Sequence, residues 1–133
     1  MIDLIEKMHA KFDFHDVIKY LDNQGHRDHL DLRLNMIQEE YFELCDAVDE
    51  ENPEEIVDAL IDIIVFCLGT LDLFKVDSDK AYSEVMNANL AKIRGIKEGR
   101  PNPFGFPDLM KPEGWLPPSH KGNHGTFGEM YDQ

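Results

Sequence analysis

Between Arg33 and Lys75 the chain carries no lysine or arginine, and over the same stretch it places Glu39, Glu40, Glu43, Asp46, Asp49, Glu50, Glu51, Glu54, Glu55, Asp58, Asp62 and Asp72. Any fold built from this segment must bring like charges together without a cation of its own. Asp62 is the sharpest case, flanked by Ala59-Leu60-Ile61 and Ile63-Ile64-Val65-Phe66. An unpaired buried carboxylate costs several kcal/mol, so it must be protonated, paired or metal-bound.

Apolar spacing predicts helices, and the chain reads as all-α. A first helix covers about Ile2 to Phe12, resuming from Asp16 to Leu21, with Asn23-Gln24-Gly25 as a stop. A second runs from about Asp28 to Asp49, with Leu30, Leu34, Ile37, Tyr41, Leu44 and Val48 on one stripe. Asn52-Pro53 ends it and opens a third helix, with Pro53 in the first turn, running to about Phe74. Its middle, Ala59 to Leu68, is apolar nearly all round, the mark of a helix covered on several sides. Ser78 is the expected N-cap of a fourth helix to about Ile93. Six of the seven prolines and seven of the nine glycines fall between Gly95 and Gly128, so residues 95–133 read as an irregular tail, without its own core, after a helical core over 1–94. No strand alternation or repeat is visible.

At 133 residues and a net charge of −14, the chain suits one domain that repels nucleic-acid polymers and anionic membrane surfaces. The longest apolar stretch, Ile63 to Gly69, is too short to cross a bilayer. Cys45 and Cys67 lie among apolar neighbours and read as two buried thiols in a reducing compartment, and a cytoplasmic location is expected. Past Lys75 the basic residues, Lys80, Lys92, Arg94, Lys97, Arg100, Lys111 and Lys121, are held back to the fourth helix and tail.

Glu39, Glu40 and Glu43 read E-E-x-x-E on the second helix, and Glu55, Asp58 and Asp62 share a stripe of the third. A short turn near Glu50 and Glu51 makes an antiparallel pair, which places Glu43 roughly opposite Asp58 and Glu40 roughly opposite Asp62. A lone E-E-x-x-E is most often a solvated helix face. Acids on the facing helix, one in an apolar setting, shift the balance to a cation site. Oxygen-only ligands suit Mg2+ or Mn2+. The pairs His26/His29 and His120/His124 lack a third ligand at zinc spacing, no E-x-x-H di-iron pattern occurs, and no P-loop is present.

E-E-x-x-E followed after a turn by Glu55-Ile56-Val57-Asp58 resembles the signature of the MazG-like all-α NTP pyrophosphohydrolases. Val57 to Phe66 with Gly69-Thr70 looks like the metal-binding helix of the phosphoribosyl-ATP-pyrophosphohydrolase-like branch. Met8-His9-Ala10-Lys11-Phe12, Glu84-Val85-Met86-Asn87-Ala88-Asn89-Leu90-Ala91-Lys92 and Lys111-Pro112-Glu113-Gly114-Trp115-Leu116-Pro117-Pro118 are similar to its F-H-x-K-F, E-V-x-x-x-N-x-x-K and K-x-x-x-W/F-x-P-P segments. The resemblance spans residues 1 to about 118. It implies a MazG-like bundle of about four main helices, dimeric or tetrameric, with carboxylates holding Mg2+ (Mn2+ as substitute) on a triphosphate that is cleaved to monophosphate and pyrophosphate. Glu40, Glu43, Asp58 and Asp62 are then the expected metal ligands and Glu55 a further one. The set stays open, because taking Asp62 as the motif aspartate puts Ala59 where glutamate is expected, whereas Asp58 restores Glu55. Glu39 is the expected residue to orient or deprotonate the attacking water. Asn89 and Lys92 would bind sugar and phosphates, and Lys111 would close over the phosphates. Trp115 would stack on the base or, equally, pin the tail. The substrate is expected to be a deoxynucleoside triphosphate. The alternatives are phosphoribosyl-ATP, an alarmone, or a non-catalytic helical module that binds a partner.

Overall fold

The computed structural model of the chain describes residues 1–131. Its helices are α1 (Ile2–Lys11), α2 (Phe14–Ile18), α3 (Asn23–Asp49), α4 (Pro53–Leu73), α5 (Ser78–Leu90) and α6 (Thr126–Met130). The all-α class expected from the sequence holds. No helix is long and apolar enough to cross a membrane among the described residues. One short antiparallel ribbon corrects the expectation of no strands. It pairs β1 (Ile93–Gly95) with β2 (Asp108–Met110) in the register Ile93↔Met110. Three residues per strand leave no alternation to read. The Asp108 carboxylate holds the ribbon's end, accepting from the Lys97 N–H at 2.8 Å and facing Arg100 at 3.7 Å.

The chain divides into two compact units, Met1–Ser78 with the segment from Gly122 onward, and Asp79–Lys121. The first is organised around the antiparallel α3–α4 pair. Its turn is made by local chemistry. Glu51 sits at φ 54, the Asn52 N–H reaches the Ala47 carbonyl at 3.0 Å, and the Glu51 N–H reaches Val48 at 3.1 Å. These two bonds close a Schellman motif. The Asn52 side chain then accepts the Glu55 N–H at 3.2 Å and caps α4, with Pro53 at its first position. Chain reversal thus takes only Glu50, Glu51 and Asn52.

Asn23-Gln24-Gly25 is not a stop. The Asp22 carboxylate accepts the Gly25 N–H at 2.8 Å, so these residues form the first turn of α3, which begins at Asn23 and not at Asp28. Capping outweighs the breaker tendency of glycine here.

The α3 stripe is also displaced. Leu34, Tyr41 and Val48 are exposed, while Arg33, Ile37, Glu40, Leu44 and Ala47 turn inward to varying degree. On α4 the inward row is Ala59, Asp62, Phe66, Gly69 and Leu73, whereas Val57, Leu60, Ile61 and Ile64 are exposed. The expectation that α4 is covered on several sides is not met within one chain. Cys67 is exposed and Cys45 half-buried, both free, so the reading of two buried thiols is corrected.

The short helix α6 does join a core. Phe74 and Met130, both fully buried, pack with Ile18 and Leu73, and Phe127 stacks on Phe74 at 4.5 Å. Arg27 donates to the Met130 carbonyl at 2.7 Å. The Asn123 amide bonds both the N–H and the carbonyl of Asp77, at 2.8 and 2.9 Å. The glycine- and proline-rich composition hid this docking helix.

Two substitutions test these turns from opposite sides. Gly125 holds φ +54, and a Cβ there would overlap the Phe74 carbonyl. Gly125→Ala should therefore destabilise by about 1–3 kcal/mol, read as a lower urea midpoint. Glu51→Gly removes both a Cβ from the left-handed region and a charge from an acidic turn. It should raise the midpoint by up to about 1 kcal/mol of stability, and a fall would contradict the turn analysis.

Candidate functional site

The inward rows of α3 and α4 meet with carboxylates in register. Burial with the neighbouring charges of Glu43, Asp62 and Asp58 acts on Glu40, and burial with Asp58 and Glu43 acts on Asp62. Glu40, Glu43, Asp58 and Asp62 are thus brought together, as antiparallel pairing of the two stripes requires. Glu40 and Asp62 are half-buried, while Glu43 and Asp58 stand at the exposed rim; Glu39 and Glu55 are exposed too, and neither contributes to the shifts at Glu40 or Asp62.

Removal from solvent, a hydrogen bond with Glu43 and the charges of Glu43, Asp62 and Asp58 push the Glu40 carboxyl up to about 7. Removal from solvent, then Asp58 and Glu43, raise Asp62 also. Glu40 Oε2 is buried with no hydrogen-bond partner among the described residues. The four acids do not close into a group whose oxygens all lie within 4.8 Å. An orphaned buried oxygen, a carboxyl held near neutrality and an all-oxygen donor set fit a hard divalent ion such as Mg2+ or Mn2+.

One helical turn before Glu40, α3 lines an apolar cavity of about 520 Å³ with His29, Leu32, Arg33 and Met36, closed from α2 by Phe14 and Val17. His29 is kept neutral by burial, then by Arg33 and His26, which all lower its pKa. Arg33 crosses to α4, donating from Nε to the Thr70 hydroxyl at 3.0 Å and from Nη2 to the Phe66 carbonyl at 3.1 Å, over the Phe66 ring. Gly69 makes room for it, since a Cβ there would lie 2.6 Å from Arg33 Nη2. Thus Gly69-Thr70, noted in the sequence, serves the seating of a buried arginine.

In the second unit, Trp115 donates from Nε1 to the Ala88 carbonyl at 2.8 Å, which fastens the tail to α5. Lys92 and Lys111 stand 5.3 and 5.1 Å from its ring centroid. Three of the four residues expected to bind substrate therefore converge on one indole. Asn89, on the same helix, does not line the adjoining cavity formed by Asn87, Ala88, Ala91 and residues 112–119.

Sequence reasoning missed one cluster altogether. His9 and His15 both bond the Asp72 carboxylate. The two histidines flank a helix break, which is a visible signal, but nothing near Asp72 in the sequence links it to them.

The acidic seam has a consequence for stability. Between its ordinary value of 4.5 and about 7, Glu40 holds a proton in the folded chain that the unfolded chain has released. Folding stability contributed by this group therefore falls as pH rises through that window. In chelator, the thermal midpoint of wild type relative to Glu40→Gln should drop between pH 4.5 and 7. A difference that stays flat or rises would show that the acids do not repel as inferred.

The sequence profile of the family described as phosphoribosyl-ATP pyrophosphohydrolase matches residues 5–89. No curated protein and no solved structure matches the chain. The matched span contains most of α1, all of α2, α3 and α4, and most of α5, including every carboxylate of the seam. The profile covers well over half of the 133 residues, so the chain belongs to the phosphoribosyl-ATP pyrophosphohydrolase family, within the MazG-like all-α NTP pyrophosphohydrolase superfamily, and is a pyrophosphohydrolase of nucleotide-type substrates.

Proposed function

We propose that the chain is a Mg2+-dependent nucleoside triphosphate pyrophosphohydrolase that converts deoxynucleoside triphosphates to monophosphate and pyrophosphate. The observation that carries this reading is the Glu40, Glu43, Asp58 and Asp62 seam, with Glu40 held near neutrality and one of its oxygens orphaned. These four would hold the metal, with Glu55 one turn before Asp58 as a further ligand. Mg2+ or Mn2+ bound there supplies charge neutralisation for the phosphates and lowers the pKa of a coordinated water. Glu39 lies one turn from Glu43 on α3, is exposed, and is assigned to orient or deprotonate the attacking water.

The neighbouring 520 Å³ cavity supports a nucleoside. It falls in the ordinary range for small-molecule sites and offers an apolar wall with a neutral imidazole. Arg33 is already committed to Thr70 and Phe66, so it is a wall and not a phosphate clamp. Asn89, Lys92 and Lys111 are assigned to the sugar and phosphates, and of its two expected roles Trp115 takes the pinning of the tail, which leaves the base to the cavity. Lys92 and Lys111 already gather on the Trp115 indole. Free thiols at Cys45 and Cys67 suit a reducing, cytoplasmic setting.

A second reading, phosphoribosyl-ATP itself as substrate, is favoured by the family profile. One assay separates the two. Purified protein is incubated with each dNTP, each NTP and phosphoribosyl-ATP, with and without Mg2+, and the products are resolved by chromatography. The expected result is monophosphate plus pyrophosphate from a dNTP, only with metal. Asp62→Asn and Glu40→Gln should each lower turnover beyond the roughly 10–100-fold typical of groups that merely support metal ligands. Undiminished turnover in Asp62→Asn would remove the seam from catalysis.

The same proposal includes a homodimer or homotetramer. Leu34, Tyr41 and Val48 on α3, with Val57, Leu60, Ile61 and Ile64 on α4, leave apolar rows on the outside of the helix pair. Rows of this kind mark association surfaces. Ile61→Glu should shift the mass measured by light scattering toward the monomer, and a wild-type protein already monomeric at assay concentration would refute the association.

A further inference from the structure

We propose that His9, His15 and Asp72 form a binding site for a borderline transition-metal ion of the Zn2+ class, chemically separate from the acidic seam. The Asp72 Oδ2 atom lies 2.6 Å from His9 Nδ1 and 3.0 Å from His15 Nε2. The three ligand atoms all lie within 4.8 Å of one another. Bonds of about 2.1 Å at a tetrahedral centre place neighbouring ligand atoms about 3.4 Å apart. The two contacts to Asp72 are shorter than that value by about 0.8 and 0.4 Å, so outward shifts of under about 1 Å at each would admit an ion.

The surroundings favour a seated ligand set over a chance surface pair. His9 is 1 % exposed and the Asp72 side chain 14 %, while His15 at 47 % leaves one side open to solvent. His9 is fixed by stacking on Phe14 at 5.0 Å and by Gly69, where a Cβ would lie 3.4 Å from the ring. Nδ1 is the ring atom that faces Asp72, while Nε2 is buried beside Gly69 with no hydrogen-bond partner among the described residues. Asp13, in the left-handed region at φ 59, makes the sharp turn between α1 and α2 that brings His15 to the same carboxylate.

Donor type separates this site from the first. Two imidazoles and one carboxylate suit Zn2+, Co2+ or Fe2+, whereas the all-oxygen seam suits Mg2+. Three protein ligands with an open side leave a position for water or another ligand. A bound ion would tie α1 and α2 to α4 through three side chains.

The test uses tag-free protein in excess Mg2+, which occupies the oxygen site, titrated with Zn2+ by calorimetry and with Co2+ by visible absorption. We expect one ion per chain, a higher thermal midpoint, and a Co2+ spectrum of nitrogen ligation. His15→Ala, at an exposed position, should weaken Zn2+ at least about 10-fold, and Asp72→Asn likewise. A Glu40→Gln/Glu43→Gln double variant should bind Zn2+ as wild type does. The site is overturned by absence of Zn2+ binding, by binding unchanged in His15→Ala, or by binding lost only in the double variant. Far-UV circular dichroism confirms that His15→Ala folds, and His15→Gln serves if it does not.

Discussion

Repulsion among carboxylates across the α3–α4 seam is the constraint around which the first unit is arranged. Two carboxylates about 5 Å apart repel by about 3 kcal/mol at an effective dielectric near 20, a large share of the roughly 5–15 kcal/mol that holds a domain together. The helix pair forms regardless, because its turn is closed by three local devices: the left-handed Glu51, the Schellman bonds and the Asn52 cap. Below the acids, Arg33 bonds the Thr70 hydroxyl and the Phe66 carbonyl across the same seam. The remaining imbalance is left where Glu40 and Asp62 face each other, and there the chain bears raised pKa values and an orphaned oxygen.

That arrangement makes the α3–α4 pair the reverse of an ordinary amphipathic hairpin. Arg33, Glu40, Asp62 and Thr70 occupy inward positions, while Leu34, Tyr41, Val48, Leu60 and Ile61 look outward. Burial of apolar surface is the main driving force for folding, and a chain that spends polar residues on its interior must recover burial elsewhere. Within the chain, the Ile18, Leu73, Phe74 and Met130 cluster supplies part of it. The outward rows supply a reason for association, which the proposed oligomer would satisfy. A donor set of one chemistry in the seam, and of another where α1, α2 and α4 meet, gives each proposed metal site its own selectivity.

The helical class, the α3–α4 hairpin and the opposed acids were legible because each depends on spacing within one helix or across one short turn. E-E-x-x-E and the Glu55, Asp58 and Asp62 stripe have fixed angular positions once the helices form, and Asn52-Pro53 marks the reversal by its own chemistry. The placement of Trp115, Lys92 and Lys111 around one indole was only partly legible. Their order along the chain says nothing about whether the tail folds back, and the Ala88 carbonyl that receives the indole N–H carries no signature.

What sequence alone determined, then, is local: which segments coil, where they reverse, and which acids share a stripe. What only tertiary structure decided is which apolar stripe faces inward and which distant residues meet. Leu30, Leu34, Ile37, Tyr41, Leu44 and Val48 repeat as well as the row actually used, because a helix facing both its own chain and the outside carries two competing apolar periods. Asp72 finds His9 across 63 positions, Met130 finds Phe74, and Gly125 lies against the Phe74 carbonyl. Such contacts have no period to read, since they depend on the packing of whole elements and not on the spacing within any one of them.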